Sequence, residues 1–473
     1  MLFNSLTFVL FIAIVIGVFS LRFPWRMRKT FLLLASYAFY AAWNPPFVIL
    51  LWISTVVDWL VARRMHRVQQ PGRRRFLLWV SLAVNLGMLG FFKYGQFLLA
   101  SFSELVAMAG IVYVPPELGI ILPIGISFYT FQTLSYTIDV YLRRADPEES
   151  FLDFALFVTF FPQLVAGPIV RPHQLIPQFK QPVVATRNQL FWGLFLLTIG
   201  LFEKVVLADA ALSAISNTVF NSPQPVASLD AWAAMLAFSG QIFFDFAGYS
   251  LCAIGVAMSL GFSLPDNFRC PYAASGFSDF WSRWHISLSG WLRDYLYIPL
   301  GGNRQGRART QLNLILTMLL GGLWHGAAWR FVVWGGTHGA YLVIERWLRQ
   351  IFPREIPGTS AAVKIPVTLA TFLAVSLTWV LFRAETFSDA VDFYIALVGM
   401  HQQPVLWLET FDFLLCGVVV AGMLIVQWWM RDRRFEDVVA RCPWWAIAVF
   451  WSALLILIVL ARGESSAFIY FQF

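Results

Sequence analysis

Charged side chains are scarce in this sequence. Of its 473 residues, 13% are Asp, Glu, Lys or Arg, whereas 59% are hydrophobic. Soluble domains carry roughly 25% charged and roughly 45–50% apolar residues, so a water-soluble core of this size cannot bury the excess. A soluble enzyme is therefore excluded, and the aromatic content of 17% also excludes a disordered chain. The composition predicts an all-α polytopic membrane protein.

Cysteine is almost absent, and its few positions form no motif. The four cysteines, Cys252, Cys270, Cys416 and Cys442, show no C-x-x-C spacing, which argues against a disulfide framework and against a zinc site. No two histidines have ligand spacing on one predicted helix, and no glycine-rich phosphate loop follows a strand. We therefore expect neither a metal ion nor a bound cofactor.

Apolar runs recur along the whole chain, and a membrane-spanning helix needs roughly 20 mostly apolar residues. Twelve runs are visible, several of them shorter than a full span: 5–21, 31–43, 46–62, 76–92, 118–141, 190–208, 231–260, 311–329, 331–345, 365–382, 411–430 and 444–461. We predict about 11–12 transmembrane helices in a single domain over residues 1–473. The first run lacks the basic start and the small-residue cleavage site of a signal peptide, so we expect it to be retained.

Two segments are interrupted by proline. Pro162 and Pro168 cut the apolar run at 151–168, and three further prolines break the region 263–303. Irregular backbone at membrane depth occurs only where protein or a water-filled cavity satisfies its polar groups. We therefore expect re-entrant or cavity-lining structure in both segments, beside interfacial helices.

Lysine and arginine are distributed unevenly between the loops. The basic loops contain Arg22, Arg26, Arg28 and Lys29; Arg63, Arg64, Arg67, Arg73, Arg74 and Arg75; Arg143 and Arg144; Arg304, Arg307 and Arg309; Arg346, Arg349 and Arg354; and Arg431, Arg433 and Arg434. The alternate loops, 101–117, 211–230, 384–405 and 463–473, contain none. By the positive-inside rule the basic set is cytoplasmic and both termini lie outside. The net charge of +8 is therefore explained by these cytoplasmic loops. We expect the protein to contact a lipid bilayer and no nucleic acid.

The densest polar stretch within the apolar sequence runs from Asp279 to Gly302. It combines acids, arginines, a histidine and aromatic side chains too closely for a helix that faces lipid, so each polar group calls for a partner or a purpose. Composition alone leaves open an interfacial amphipathic helix with a belt of tryptophan and tyrosine. The other interpretation is a functional site that contains His285.

A second polar position in an apolar run is His325, within the sequence GGLWHGAAW. Imidazole is the usual general base near neutral pH. The flanking glycines predict close approach of a helix or a substrate, and an accessible ring. The alternative is a structural histidine bonded to a neighbouring helix. His338 falls on a nearly opposite face of a straight helix at about 100° per residue, and we interpret it as structural.

Asp245, Glu203 and Lys204 are among the charged residues that lie inside apolar runs. Asp245 is an intramembrane acid, for which a structural pair with an arginine or a tyrosine is favoured over catalysis. Glu203 and Lys204 are adjacent, so they cannot face each other on a helix. We expect these two residues to mark a helix end whose side chains snorkel to the interface.

Several long motifs, in order along the chain, resemble the membrane-bound O-acyltransferase (MBOAT) family. They are similar to its bacterial branch, which contains the membrane subunit of alginate O-acetyltransferase. The matching stretches are LPIGISFYTFQTLSY at 122–136, FPQLVAGPI at 161–169, residues 284–302, WHG at 324–326, WVLFRA at 379–384 and the sequence around Tyr470. The resemblance covers essentially the whole chain.

The resemblance implies a ring of helices around a thin central waist, with a tunnel open to both faces. It implies acyl transfer from a thioester to a hydroxyl, with His325 matching the catalytic histidine of the family. His285 lies about where other branches place an Asn or Asp partner. The candidates for lining the tunnel or binding the donor are Trp324, Trp284, Arg283, Asp294, Arg293 and Asn303.

The resemblance also implies substrates and partners. The donor would be acetyl-CoA from the cytoplasm, whose phosphates the basic loop at 304–309 would attract. The acceptor would be an extracytoplasmic polysaccharide such as alginate, outside a bacterial inner membrane. Related systems suggest Tyr470 as an acyl carrier and a separate periplasmic SGNH-type acetyltransferase as partner. Alternatives are O-acetylation of peptidoglycan or cellulose, D-alanyl transfer to teichoic acid, and, from another class, a non-catalytic transporter.

Overall fold

The chain is almost entirely helical. The computed structural model describes residues 1, 3–351, 361–461 and 468–469, with the backbone alone at 361–363. The helices form two compact units, one of Met1–Leu196 with Ala253–Pro265 and one of Leu197–Cys252 with Asp266–Phe473. β pairing in the described ranges is limited to an isolated bridge between Val226 and Val405. The predicted all-α class is confirmed, while a single domain over 1–473 stays a prediction.

The first unit contains nine complete helices among its described residues and the start of a tenth. They are α1 (Leu6–Phe19), α2 (Trp25–Ala41), α3 (Val48–Arg67), α4 (Pro71–Leu89), α5 (Gly95–Ala107), α6 (Ile126–Tyr141), α7 (Phe151–Thr159), α8 (Phe161–Leu164), α9 (Pro172–Phe179) and α10 (Arg187–Phe202). A 3₁₀ turn at Pro45–Phe47 precedes α3, and a π-helical turn at Gly90–Tyr94 joins α4 to α5.

A buried polar cluster connects α3, α4 and α6 in this unit. Asp58 accepts hydrogen bonds from the Ser81 hydroxyl and from Nδ2 of Asn85, the latter at 2.9 Å. The side-chain oxygen of Asn85 in turn accepts from Ser54 at 2.6 Å and from Thr133 at 3.2 Å. Because a buried polar group without a partner is costly, these bonds fix which faces of the three helices meet.

The second unit holds the remaining helices of the described chain. They are the end of α10, α11 (Ala214–Phe220), α12 (Ser228–Ser259) up to residue 252, α13 (Phe277–Arg283), α14 (Ile286–Leu292), α15 (Arg307–His325), α16 (Trp329–Ile351), α17 (Ala361–Arg383), α18 (Phe387–Leu397), α19 (Thr410–Met430), α20 (Phe435–Val439) and α21 (Trp444–Leu460). An eleven-residue π-helix at Glu203–Ser213 follows α10, a 3₁₀ turn lies at Pro271–Ala273, and a shorter π-helix at Arg293–Tyr297 follows α14.

Six helical stretches of the described chain are long and apolar enough to cross a membrane. They are Pro45–Arg67, Pro71–Ala107, Arg187–Phe220, Ser228–Ser259, Lys364–Arg383 and Thr410–Met430, and two shorter apolar helices are Leu6–Phe19 and Trp444–Leu460. The protein is therefore a multi-pass membrane protein. Other predicted runs form helices that are shorter or more polar, so the count of 11–12 spans stays a prediction.

Both proline-broken segments are interrupted, as the sequence predicts. In 151–168, α7 ends at Thr159 and only the four-residue helix α8 follows. In 263–303, the backbone forms short helices separated by turns, and His285 lies in the turn between α13 and α14.

The hairpin of α15 and α16 is held together by glycine. A methyl group added at Gly322 would lie 2.2 Å from the Phe331 carbonyl oxygen, and one at Gly335 would lie 2.1 Å from that of Met318. Small residues let two helix backbones approach this closely. The contact fixes the end of α15, where His325 is the last residue.

Candidate active site

His325 lies in an aromatic enclosure. Helix α15 ends at this residue because Gly326 adopts an extended conformation, with φ −157°. The centroid of the imidazole ring lies 5.0 Å from that of Trp324, 5.1 Å from Trp334 and 5.6 Å from Phe382. The residue is 3% exposed.

The prediction that the neighbouring glycines leave this ring accessible is wrong. Gly322 is used by the helix–helix contact of the hairpin, and a methyl group at Gly326 would lie 2.0 Å from the Phe331 ring. The small residues therefore permit backbone and ring packing instead of opening a path to His325. Their packing agrees with the 3% exposure of His325.

His285 lies in a strained turn at the start of α14. Its φ of 43° and ψ of 55° place it in the left-handed region, and the residue is 0% exposed. A non-glycine residue in that region costs about 1–3 kcal/mol and persists where the surroundings over-determine it, which is common at functional sites. The turn directs the ring into the interior of the unit, where it meets Phe246 edge to face at a centroid distance of 4.6 Å.

Asn267 holds the ring of His285. Its side-chain oxygen lies 3.0 Å from Nδ1 of His285 and also accepts from the hydroxyl and the N–H of Ser287. The amide Nδ2 donates to Ser250 at 3.2 Å, and the backbone carbonyl accepts the N–H of Ile286 at 2.9 Å. An amide oxygen only accepts hydrogen bonds, so Nδ1 of His285 carries the proton and Nε2 has the lone pair.

Burial also sets the charge of His285. The residue lies outside the six membrane-length helices, and burial lowers its pKa from 6.5 to about 3. At neutral pH the imidazole is therefore uncharged. An uncharged ring with a lone pair on Nε2 has the protonation state that a general base requires.

The structure brings the two predicted histidines together. The ring centroids of His285 and His325 are 6.4 Å apart, and Trp324 contacts both, at 5.9 Å from His285 and 5.0 Å from His325. Two imidazoles at this separation can act on the same small group. The interpretation of His285 as part of an interfacial helix does not agree with its complete burial.

Trp284 and Trp324 belong to the aromatic cluster around the histidines. Trp284 is fully buried, lies 5.0 Å from Trp379 and stacks on Phe280 at 5.6 Å. Trp379 in turn stacks on Trp334 at 5.6 Å, and Trp334 contacts His325. The aromatic cluster thus provides a continuous series of ring contacts from Trp284 to His325.

His338 contacts the same aromatic cluster. Its Nε2 lies 3.0 Å from the Thr378 hydroxyl, and its ring lies 4.8 Å from that of Trp334. The Thr378 hydroxyl donates to the Val375 carbonyl at 2.7 Å, so Nε2 of His338 donates to Thr378. The predicted separation of His338 from His325 along one straight helix does not apply, because the chain turns at 326–328 between α15 and α16.

Arg283 belongs to an ion-pair network and does not face the histidines. Its Nε lies 2.7 Å from Asp279, whose other oxygen is 2.9 Å from Nη2 of Arg431. Burial alone would raise the pKa of Asp279, but the hydrogen bonds from Arg283 and the Ser275 N–H, with the charges of Arg283 and Arg431, hold it below its usual range. The network fastens the start of α13 to the end of α19.

The other predicted donor-binding residues lie at the surface. Arg293 and Asp294 pair with each other at 2.7 Å, with the Arg293 side chain 66% exposed. Asn303 is exposed, as are the three arginines that follow it in the basic loop, Arg304, Arg307 and Arg309. These residues are therefore separate from the buried histidines and offer a charged surface.

Asp245 and Lys204 form an ion pair, which corrects two predictions. Lys204 contacts Asp245 and also lies 2.9 Å from Asp209. The partner of Asp245 is thus a lysine, where an arginine or a tyrosine was expected. Lys204 is 5% exposed and does not snorkel to an interface. Tyr470, the predicted acyl carrier, lies outside the described residues, although Phe468 and Ile469 are described.

Sequence reasoning missed Asn267, Ser250, Trp334 and Phe382 as residues of the site. Asn267 is a polar residue in the proline-broken region 263–303, which is the signal that could have pointed to it. Phe382 lies in the stretch WVLFRA that resembles the family, which is the signal for that residue, whereas Ser250 and Trp334 lie in helices with ordinary apolar or small residues around them. Only the packing of helices brings their side chains to the histidines.

The two buried histidines, of which His285 is neutral and held by Asn267, are suited to general acid–base chemistry inside a multi-pass membrane protein. The family model described as "MBOAT, membrane-bound O-acyltransferase family" matches residues 27–382, which is more than half of the chain. The chain belongs to this family and is an O-acyltransferase.

Named relatives align over most of the chain. A Pseudomonas aeruginosa protein named "Probable alginate O-acetylase AlgI" is 40% identical over 453 residues, covering 94% of this chain and 84% of the relative. A protein of the same name from Azotobacter vinelandii is 39% identical over 443 residues, covering 91% and 86%. A peptidoglycan O-acetyltransferase of Helicobacter pylori is 39% identical over 399 residues, covering 79% and 74%.

Proposed function

We propose that this chain is a bacterial inner-membrane O-acetyltransferase component. It moves acetyl groups from a cytoplasmic thioester donor across the membrane, for O-acetylation of an extracytoplasmic polysaccharide such as alginate. The observation that carries the proposal is the pair of enclosed imidazoles of His285 and His325, 6.4 Å apart. The names of the relatives from Pseudomonas and Azotobacter support acetyl as the group and alginate as the final acceptor.

The proposed chemistry uses His325 as the general base. The hydroxyl oxygen of the acceptor attacks the thioester carbonyl carbon while His325 takes the hydroxyl proton. The carbon–sulfur bond then breaks, the thiol leaves with a proton, and an oxygen ester remains. His285, which Asn267 holds through Nδ1, is the second group that can position the reacting atoms.

The proposed donor is acetyl-CoA. The exposed arginines Arg304, Arg307 and Arg309 would attract its phosphates, because surface cations raise the local concentration of anions. By the positive-inside rule this basic loop is cytoplasmic, which places both termini in the periplasm. Arg293, Asp294 and Asn303 on the exposed surface would contact the donor outside the membrane core, and Trp284 and Trp324 would line its path to the histidines.

The acceptor polymer lies on the other side of the membrane, so the acyl group has to cross it. Tyr470 is the proposed carrier, since its phenol provides a hydroxyl that can form an ester. A periplasmic SGNH-type acetyltransferase would then move the acetyl group to the polymer.

A second candidate acceptor is peptidoglycan. The relative named peptidoglycan O-acetyltransferase has 39% identity to this chain, close to the 40% of the Pseudomonas aeruginosa relative. The two acceptors require the same transfer from the thioester and differ only in the final polymer.

The test measures the amount of base-labile acetyl ester on the exopolysaccharide and on peptidoglycan. A strain that lacks the chromosomal gene is complemented with the wild-type chain, with His325→Ala or with His66→Ala, in which an exposed histidine is removed. Wild type and His66→Ala should restore the ester on exopolysaccharide, and His325→Ala should not, at equal amounts of protein in the membrane. Ester restored only on peptidoglycan favours the second acceptor, and ester restored by His325→Ala contradicts the enzymatic proposal in favour of a transporter.

A further inference from the structure

A buried cluster of three charged side chains lies on helix α12 and the preceding π-helix. Lys204 contacts the carboxylates of both Asp209 and Asp245, and the exposed fractions of Lys204 and Asp245 are 5% and 2%. The π-helix at Glu203–Ser213 bonds each residue to the one five positions along. It therefore places Lys204 and Asp209 one above the other, which an α-helix does not do.

The second carboxylate oxygen of Asp245 binds the backbone near the end of the described chain. Oδ2 accepts the N–H of Ile469 at 2.7 Å, and this contact joins positions that are far apart in the sequence. A charged acceptor makes a shorter and stronger hydrogen bond than a neutral one. Both Phe468 and Ile469 are buried, so the segment is packed into the second unit and does not lie along its surface.

The ring of Phe246 connects the segment Phe468–Ile469 with the candidate active site. Phe468 packs on Phe246 at 5.6 Å and on Tyr249 at 4.8 Å, measured between ring centroids. Phe246 also meets the ring of His285, at a centroid distance of 4.6 Å. Asp245 and Phe246 are neighbours on α12, so the same helix turn binds the segment and contacts the histidine.

We propose that Asp245 is a positioning residue, which with Lys204 fixes the segment at Phe468–Ile469 beside His285 for acyl transfer. A buried ion pair is a weak source of stability, because desolvation of the charges offsets their attraction. Orientation of the segment accounts for the pair better than stability does. The anchoring rests on the contacts above, while its kinetic consequence rests on the proposed function, in which the residue after Ile469 carries the acetyl group.

Amide hydrogen exchange of the full-length protein in detergent tests the anchoring. In the wild type, the Ile469 amide should exchange slowly, and Asp245→Ala should speed its exchange about tenfold to a hundredfold, as expected for loss of a hydrogen bond to a charged group. Asp230→Ala is the matched control, because buried Asp230 accepts the N–H of Trp407 at 2.6 Å. That variant should speed exchange at Trp407 and leave Ile469 unchanged.

Kinetics of the same variants test the positioning role. Asp245→Ala should lower kcat for acetyl transfer with the KM for the thioester unchanged, since the donor surface is intact. Asp245→Asn, which keeps the shape and one acceptor oxygen, should give exchange and kcat between those of wild type and Asp245→Ala. A purely structural role would instead lower the melting temperature and leave kcat per folded molecule unchanged.

The outcomes separate this inference from the proposed function. Rapid exchange at Ile469 in the wild type, or exchange unchanged in Asp245→Ala, overturns the anchoring, and the wild-type measurement stands even if the variants do not fold. Faster exchange with unchanged kcat overturns the positioning role. His325→Ala should lose acetyl transfer with Ile469 still protected, and transfer retained in that variant overturns the proposed function alone.

Discussion

The imidazole rings of His285 and His325 lie with their centroids 6.4 Å apart, although they come from separate helical elements. His325 is the last residue of α15, and His285 occupies a left-handed turn before α14. Both are buried, so the structure shows an enclosed arrangement of the site. Trp324 contacts both rings, so the proposed acyl transfer at these histidines would require movement of this side chain or of its aromatic neighbours.

Removal of the Asn267 side chain should weaken the orientation of His285. Asn267→Ala frees Nδ1, so the ring can rotate and adopt the other tautomer. A neutral hydrogen bond contributes roughly 0.5–1.5 kcal/mol, so kcat should fall about threefold to tenfold with the KM for the acyl donor unchanged. Asn221→Ala, which removes an asparagine bonded to Arg383, is the control and should keep wild-type kcat. Equal kcat in both variants would show that Asn267 does not orient the base.

The stability of the protein should depend on pH through His285. Its pKa of about 3 in the folded chain is below the 6.5 of an ordinary histidine, so the unfolded chain binds more protons between these values. This contribution to stability is complete above pH 6.5 and is lost as the pH falls toward 3. His285→Asn does not titrate and tolerates the left-handed backbone.

Thermal unfolding at about pH 7 and about pH 4.5 measures this effect, since the first pH lies above and the second below the pKa of an ordinary histidine. When the pH is lowered from the first value to the second, the melting temperature of the wild type should fall further than that of His285→Asn. An equal loss in the two proteins would mean that the pKa of His285 is not lowered in the folded state.

The glycine contact of the α15–α16 hairpin should not tolerate a methyl group. Gly322→Ala would place a Cβ 2.2 Å from a backbone carbonyl oxygen, and backbone cannot yield as a flexible side chain does. Overpacking of this kind costs about 1–3 kcal/mol, and it would displace His325 three residues along. Gly417→Ala, with nothing within 4 Å of the added methyl, is the control. Melting temperature and kcat should fall in the first variant only, and a Gly322→Ala protein that matches Gly417→Ala would contradict the close packing.

The basic loop should affect donor binding and not the chemical step. Replacing Arg304, Arg307 and Arg309 by alanine should raise the KM for acetyl-CoA and reduce its dependence on salt, since exposed charges act through a screened field. kcat should stay unchanged. Arg433→Ala with Arg434→Ala removes two exposed cations from another loop and serves as control. An unchanged KM in the triple variant would place the donor elsewhere.

The class of the protein and its two central histidines follow from the sequence. Long apolar runs with few charges indicate spanning helices, and an imidazole among apolar residues is unusual enough to be noticed at both His285 and His325. The end of α15 at His325 was not predicted, because the apolar run 311–329 continues past this residue. What the glycines around His325 do was misinterpreted, since their contacts with Phe331 and Gly335 depend on how two helices pack.

Contacts between distant segments were beyond sequence reasoning. Asn267 and His285 meet because the chain at 267–269 runs beside the turn at 283–287, which no periodicity reveals. Lys204 was predicted to snorkel from a helix end because it is adjacent to Glu203, whereas it lies in a π-helix and pairs with Asp209 and Asp245. A π-helix spaces its backbone hydrogen bonds five residues apart, where an α-helix spaces them four apart, and this difference alters which side chains meet. The sequence carries no clear signal of this change.

The most direct test of the account is acetyl transfer from labelled acetyl-CoA to the purified chain itself in proteoliposomes, measured as the rate of a single turnover. A general base contributes about 10²–10⁴-fold to a rate, so His325→Ala should lower this rate by that factor. His66→Ala, which removes an exposed histidine, should match the wild type. Transfer by His325→Ala at the wild-type rate, from protein that is folded and inserted, would contradict the assignment of His325 as the proton acceptor.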